Sequence, residues 1–428
     1  MAAILFISLI ILIAIGMPLA YALGGASFFA IASSDLPSIL TVQRFFTGVD
    51  SFTLMAIPFF MISGSLMSKG GVSDRLIKLC SVFLRKLPGG LAIVTVVACT
   101  FFGAISGSAP ATAAAIGGIM IPAMLANKYA PDFSMSTVAS AGYLGVIIPP
   151  SITMVTYGVA AGASIGDMFM AGVFPGILLC LGMSIFAYLV GRKNNYVMQD
   201  ERDMSSREIL KIVIDAIPAL LMPVIILGGI YGGIFTPTEA GCVSVVYGLF
   251  VGFFVYKELK LGDIPEIFRS SALSASMILL IIGCASAFGN IITREMIPNK
   301  VASLIIGISD NKIVFLILVN VLLLIVGCFM ETNTAIMIIA PILLPVAKTL
   351  GIDVIHFGII MVINLAIGLL TPPLGMNLYV ATGITGKKVS DILGKYLFGY
   401  IAISIIILLI ITYVPAISTF LPQLVAGR

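Results

Sequence analysis

Two stretches of this chain hold residues suited to binding a small cation. One runs Gly145-Val146-Ile147-Ile148-Pro149-Pro150, the other Gly368-Leu369-Leu370-Thr371-Pro372-Pro373-Leu374-Gly375, and each sets a proline pair inside an apolar segment. Two successive prolines remove backbone donors and clash with the preceding turn, so a helix must stop there. A helix that stops leaves its last carbonyls without intrahelical partners. Free carbonyls at a helix C-terminus suit a hard cation, and free amides at an N-terminus suit an anion. The backbone oxygens of Ser106, Gly145, Ile148 and Pro150 are the candidate ligands of a first cation. Those of Gly327, Gly368, Thr371 and Leu374, with the Thr371 hydroxyl, are the candidates for a second. Gly145 and Gly368 let backbone approach a ligand closely. The alternative is that these glycines serve helix packing alone. Glu331 is the only acid close to the tip of either hairpin that precedes these breaks. Mostly neutral oxygens fit Na+ better than a tightly held divalent ion.

For an anionic solute, Ser108 and Thr112 offer neutral donors before the first break, and Asn333 and Thr334 before the second. The same residues could instead cap the helices that follow them, and both roles can hold at once. Other polar residues within apolar segments are Glu239, Asn290, Asn320 and Asn364. Glu239 follows Thr236-Pro237, where an acid in the first helical turn is expected for capping reasons alone. His356 is the only histidine, which argues against a histidine zinc site. The six cysteines are scattered singly with no metal-ligand or disulfide spacing and read as small buried residues.

The elements that must position these residues form a repeat. Gly103-Ala104-Ile105-Ser106-Gly107-Ser108 precedes the first break and Gly327-Cys328-Phe329-Met330-Glu331-Thr332 the second. Gly103 to Gly145 is 42 positions and Gly327 to Gly368 is 41; Pro122 to Pro149 and Pro345 to Pro372 are both 27. Two copies of an interrupted hairpin followed by a broken helix have the sequence form of a secondary transporter.

Composition agrees. Of 428 residues, 60% are hydrophobic and 10% charged, a balance no soluble domain has. The apolar runs are continuous rather than alternating, which excludes a β-barrel. The chain is read as an all-α polytopic membrane protein. Spans are expected at 3–23, 27–47, 51–68, 168–190, 212–234, 237–256, 266–292 and 392–415. Hairpins are expected at 89–126 and 312–348, and broken helices at 134–163 and 354–385. Residues 1–23 lack a basic leader and read as a first span rather than a cleaved signal. The hairpin arms look short for a hydrocarbon core of ~30 Å, so the hairpins are expected to be re-entrant. Basic and apolar residues interleave over 69–88, the pattern of an amphipathic helix at the interface, and 293–311 is a second such segment. The net charge of +4 lies in loops and implies no nucleic-acid partner.

Each half then has five crossings and one hairpin, and an odd number inverts the second half. With the N-terminus outside, 17 of the 23 basic residues fall on the cytoplasmic side. The other side keeps six: Arg44, Arg294, Lys300, Lys312, Lys348 and Arg428. The positive-inside rule thus supports both orientation and crossing count. It puts the mouth of the first hairpin in the cytoplasm and that of the second outside.

Four motifs in order resemble the large membrane subunit of TRAP transporters, the DctM/SiaM-like family. They are Gly107-Ser108-Ala109-Pro110-Ala111-Thr112, Gly145 to Pro150, Phe235-Thr236-Pro237-Thr238-Glu239-Ala240-Gly241, and Gly368 to Gly375. The resemblance covers essentially the whole chain. It implies Na+-driven uptake of an organic acid anion, sialic acid or a C4-dicarboxylate, across a bacterial inner membrane, with two or more Na+ ions and no organic cofactor. It also implies an elevator. In that reading 1–68 and 212–292 are scaffold, 69–88 and 293–311 are arms, and 89–166 and 312–390 are the two halves of a transport domain. Residues 167–211 hold a span and the cytoplasmic linker between repeats, and 391–428 the last span and C-terminus. The implied partners are a small four-helix membrane subunit, expected as a separate chain, a periplasmic solute-binding protein and the surrounding lipid. A stand-alone Na+/dicarboxylate symporter is the alternative, with a channel behind it. An intramembrane protease around Ser106 is a remote one, because no base is positioned to activate a nucleophile. No enzymatic activity is expected.

Overall fold

The computed structural model describes the chain except for residues 35, 198–203, 299, 301–310, 373–374 and 426–428. Every regular element among the described residues is helical. Nine of the helices are long and apolar enough to cross a membrane, the longest being Ile165–Lys193 and Ile264–Arg294.

The two hairpins and two broken helices lie where the sequence puts them. Gly90–Ser106 and Ala109–Ala126 form hairpin 1, and Lys312–Phe329 and Thr332–Thr349 form hairpin 2. Broken helix 1 is Pro131–Gly142, a tight 3-10 turn Tyr143–Val146, then Ile152–Ala161. Broken helix 2 is Val354–Gly368 followed by Met376–Thr385. Pro131–Gly142 is buried from Phe133 onward and Val354–Gly368 from His356 onward. The first irregular stretch, 145–151, is likewise buried throughout, and residues 369–372 of the second are buried or half-buried, as irregular backbone must be in a medium without water. Three of the four hairpin arms also meet the length and composition of a span. Arm length, expected to mark the hairpins as re-entrant, therefore does not do so.

The start of the chain departs from the expected spans 3–23 and 27–47. The helices are Ala2–Ala14, Leu19–Ala32 and Ile39–Val49. Gly16 turns into the left-handed region at φ +82 and Pro18 stands at the next N-cap. The first apolar run is therefore two helices with a corner. Ser33 and Ser34 end the second helix, their hydroxyls donating to the Ala30 and Ile31 carbonyls at 2.8 and 2.7 Å. Hydroxyls that satisfy terminal carbonyls in this way favour a helix end over its continuation.

The expected amphipathic segment 69–88 contains the helix Val72–Leu84, which buries Val72, Leu76, Ile77 and Cys80. Arg75 ties it down. Its guanidinium donates to Glu258 Oε1 at 2.7 Å, lies 3.3 Å from Asp215 Oδ2 and covers the Tyr256 ring at 3.7 Å. Most of the second proposed arm, 293–311, lies outside the described residues. Cys242 is exposed, unlike the other cysteines, which are buried or half-buried, so the reading of all six as buried does not hold for it.

One long helix relates the ends of the molecule. Ile165–Lys193 starts beside the loop Gly162–Ser164 and finishes where Gly191 packs directly on Gly89, at the mouth of hairpin 1. The Gly89 amide also donates to the Tyr196 carbonyl at 2.8 Å.

Candidate ion and solute site

The turn of hairpin 1 rests on the first break. Gly107 ends Gly90–Ser106 in the left-handed conformation, and its carbonyl accepts from the Ile152 amide at 3.4 Å. A methyl built on Gly107 would lie 3.0 Å from the Pro150 carbonyl oxygen, and one on Gly103 2.8 Å from Gly145 Cα. Only glycines allow backbones this close. The Pro149-Pro150 peptide is cis. Among the described residues the carbonyls of Ser106, Gly145, Ile148 and Pro150 accept no hydrogen bond. These are the four oxygens expected to hold a first cation. Beside them Ser106 Oγ and Thr112 Oγ1 are 2.7 Å apart, and Thr112 Oγ1 donates to the Ser108 carbonyl at 2.8 Å. Ser108 is the N-cap residue of Ala109–Ala126 but makes no side-chain cap bond.

The second tip has the same frame and different chemistry. A methyl on Gly327 would lie 3.1 Å from Gly368 Cα. The Gly368 carbonyl already accepts from the Thr371 amide at 2.9 Å, and the Thr371 hydroxyl donates to the Ile367 carbonyl at 3.2 Å. The Gly327 carbonyl accepts nothing among the described residues. Leu374 lies outside them. Glu331 caps Thr332–Thr349, with Oε2 accepting from the Thr334 amide at 3.1 Å. Its Oε1 accepts from Asn333 Nδ2 at 2.7 Å. Capping at this tip thus falls to Glu331, while Asn333 turns its Oδ1 to accept from Thr156 Oγ1 at 3.0 Å. That bond joins hairpin 2 to broken helix 1 across the two halves. Asn377 Nδ2, donating to the Ala139 carbonyl at 3.0 Å, joins them again.

Both tips open on one cavity of about 270 Å³. Hairpin 1 supplies Gly107 to Pro110, hairpin 2 Glu331 to Asn333, and the breaks Val146, Ile152, Leu369 and Met376. The far wall is Met61 with Ser274, Met277, Ile278 and Ile281. Those last four sit near the middle of the 31-residue helix Ile264–Arg294. The cavity brings Ser108 and Asn333 together, whereas Thr112 and Thr334 stand behind the tips, buried and bonded to them. Sequence reasoning missed Thr153 and Thr332. Among the described residues their buried hydroxyls have no partner, and both residues line the cavity. A buried hydroxyl without a partner costs about 1–3 kcal/mol, which a ligand would offset. Their place in the first turn after each interruption was the available signal.

Glu239, Asn320, Asn364 and His356 are engaged in local contacts. Thr236 and Glu239 form a capping box, as the sequence implied. Asn364 Nδ2 donates to Asn320 Oδ1 at 2.7 Å, and His356 pairs with Ser418 and the Thr412 carbonyl.

Comparison with known proteins agrees with this architecture. The family model described as "Tripartite ATP-independent periplasmic transporter, DctM component" matches residues 6–417. The isethionate TRAP transporter permease protein DctMQ of Oleidesulfovibrio alaskensis is 46% identical over 95% of this chain, which spans 64% of that relative's length. The C4-dicarboxylate TRAP transporter large permease protein DctM of Pseudomonas aeruginosa is 43% identical, over 94% of this chain and 93% of its own. The sialic acid TRAP transporter large permease protein SiaM of Vibrio cholerae is 36% identical over 96% of each. The crystal structure of the Alcanivorax borkumensis YdaH transporter superposes with a TM-score of 0.62 at 14% identity, covering 90% of this chain and 88% of that one, and shares the fold. A family model matched over residues 6–417 and relatives 36–46% identical along nearly the whole chain show that it belongs to the DctM-component family of tripartite ATP-independent periplasmic transporters.

Proposed function

We propose that this chain is the large membrane subunit of a Na+-driven, binding-protein-dependent importer of an organic acid anion. Hairpins and broken helices move as one body against the remaining helices. One observation carries the reading: both hairpin turns and both breaks open onto a single cavity level with the middle of Ile264–Arg294. That helix is about 46 Å long at 1.5 Å per residue, longer than a ~30 Å hydrocarbon core. A hairpin that crossed the membrane would bring its turn to an end of such a helix, not to its centre. This supports re-entrant tips at mid-depth.

Inverted repeats are supported by where the hairpins open. The mouth of hairpin 1 lies at the Gly191 end of Ile165–Lys193. The return arm of hairpin 2 runs from the cavity towards the Arg294 end of its neighbour, where Met337 and Pro341 meet Gly289 and Thr293. The charge asymmetry supports a cytoplasmic position for the former end and a periplasmic N-terminus in a bacterial inner-membrane protein.

Four free carbonyls around Ser106, Gly145, Ile148 and Pro150 suit a Na+ ion that needs no carboxylate. Gly327, Gly368, Thr371 and Leu374 are the proposed second set. An ion at each turn lends the cavity the positive charge that its own side chains lack, and so favours an anion beside Ser108, Asn333, Thr153 and Thr332. The relatives' names give isethionate, C4-dicarboxylates and sialic acid, all small organic anions. A small four-helix subunit and a periplasmic binding protein complete the assembly.

Uptake into proteoliposomes containing both membrane subunits tests this, with Na+, a binding protein, and labelled isethionate, succinate and sialic acid added in turn. Accumulation is expected only with a Na+ gradient and a binding protein together. Uptake that ignores Na+ overturns the coupling. Uptake without a binding protein selects a stand-alone symporter.

A further inference from the structure

A second cavity, of about 370 Å³, lies beyond the first. Arg44 is the only charged residue among those that line it, and it is exposed. Among the described residues Arg44 has no ion-pair partner. Asn290, also in the lining, accepts from Arg294 Nε at 3.2 Å, which sets a second guanidinium one hydrogen bond back. The acids next to these elements in sequence, Asp50 and Glu295, do not line the cavity.

The two cavities follow one another along the same three helices. On Ile264–Arg294 the inner cavity is lined by Ser274, Ile278 and Ile281, and the outer one by Ala285, Gly289 and Thr293. Steps of three and four residues keep them on one face of that helix. On Thr332–Thr349 Asn333 lines the inner cavity, and Met337 and Pro341, each four residues further, line the outer. On Ile152–Ala161 Thr153 gives way to Val159 and Ala160. From Ile281 to Ala285 is one helical turn, about 6 Å.

We infer that the two cavities form one path and that Arg44 builds an anion-docking station at its outer end, where a carboxylate or sulfonate rests before it reaches the hairpin tips. A recess lined by one sign of charge with apolar walls concentrates its counter-ions and raises their on-rate, by about tenfold or more. The guanidinium fork matches planar oxyanions. The station itself rests on geometry; only the direction of travel rests on the transport reading.

Two readouts separate the claims. In the reconstituted complex with Cys242→Ser, a thiol is placed at Thr293→Cys, or at Ser286→Cys if that variant assembles poorly. It is treated with a sulfonate-bearing or a trimethylammonium-bearing thiol reagent, each rate normalised to that of a free thiol. The sulfonate reagent is expected to be favoured, and adding Arg44→Glu to shift the ratio towards the cation by about tenfold. Second, Arg44→Ala is expected to raise the KM for uptake severalfold while leaving Vmax and efflux from preloaded vesicles near wild type, with Arg44→Lys recovering most of the loss. A labelling ratio indifferent to Arg44→Glu, or an unchanged KM in a wild-type system that transports, overturns the station. A wild type that transports no organic acid overturns the transport reading instead, and the labelling ratio still reports on the station.

Discussion

The two tips share a backbone frame and differ in how much of it is already committed. At the first, the carbonyls of Ser106, Gly145, Ile148 and Pro150 accept nothing among the described residues, and the part of hairpin 1 that lines the cavity, Gly107 to Pro110, is uncharged. At the second, the Gly368 carbonyl is bonded to the Thr371 amide, the Thr371 hydroxyl is spent on Ile367, and Glu331 holds Asn333 and Thr334. A bonded carbonyl keeps a second lone pair, so commitment does not close the second site. It does shape it. The first tip is an open cage of neutral oxygens. The second is an acid-capped turn whose ligands are pre-set by their own hydrogen bonds. On the proposed reading, duplicated geometry with divergent side chains gives both turns an ion site and adds to the second an acid that orders Asn333 in the cavity wall.

The sharpest way to break this comparison is to crowd both glycines. A methyl on Gly368 would overlap the Gly327 backbone, which cannot turn aside. A methyl on Gly145 meets the Ser108 carbonyl oxygen at 2.7 Å and crowds the Thr112 hydroxyl, so its gap to backbone is wider than at Gly368. Overpacking of this kind costs about 1–3 kcal/mol. Gly368→Ala is expected near the top of that range and Gly145→Ala below it. Both should abolish uptake. Melting of the purified proteins in detergent gives the order, and equal losses would remove the asymmetry claimed for the two frames.

Glu331→Gln comes next. The carboxylate accepts from Asn333 Nδ2, from the Thr334 amide and from the Thr334 hydroxyl. An amide there turns a donor towards donors. Leaving such groups unsatisfied costs about 1–3 kcal/mol. Uptake is expected to fall about tenfold, the effect of roughly 1.4 kcal/mol, with a smaller loss of thermal stability. Full activity in Glu331→Gln would reduce the acid to an ordinary cap.

Much of this was legible because it is local. Proline pairs, the glycines 41 and 42 residues ahead of their partners and the Thr236–Glu239 box are written in short strings. Their physics needs only the backbone. What the sequence hid depends on residues far apart. Thr156 meets Asn333 across 177 positions, and no periodicity announces such a pair. The corner at Gly16 to Pro18 was hidden for another reason: hydropathy runs through it unbroken, so composition outvoted two helix-breaking residues. Arg44 looked like one basic residue among the outer six until the fold set it in the lining of the second cavity. The orphan hydroxyls of Thr153 and Thr332 also needed coordinates, since an unsatisfied group is defined by what surrounds it.

Thr371→Ala tests commitment at the second turn more gently. The hydroxyl donates to Ile367, which leaves its lone pairs free to face an ion. A lost hydroxyl ligand is worth about 0.5–1.5 kcal/mol. Half-saturating Na+ in uptake assays should rise about threefold to tenfold, with membrane insertion and melting unchanged. Wild-type Na+ dependence in this variant would count against the second cation site.

The smallest effect is expected where the first tip is least committed. Ser108 occupies the N-cap position of its return arm, as Glu331 does in hairpin 2, yet its hydroxyl makes no cap bond. An N-cap serine that bonds the helix loses about 1 kcal/mol on truncation. Ser108 does not bond it, so Ser108→Ala should leave the melting temperature within error of wild type. Its hydroxyl has no hydrogen-bond partner among the described residues, and the residue lines the cavity. Any loss should therefore appear in substrate affinity, as a KM rise of about twofold to fivefold at unchanged Vmax, below the ~1.4 kcal/mol of a tenfold step. A drop in melting temperature instead would mean that the first tip is capped by its serine after all. The two turns would then differ in charge but not in commitment.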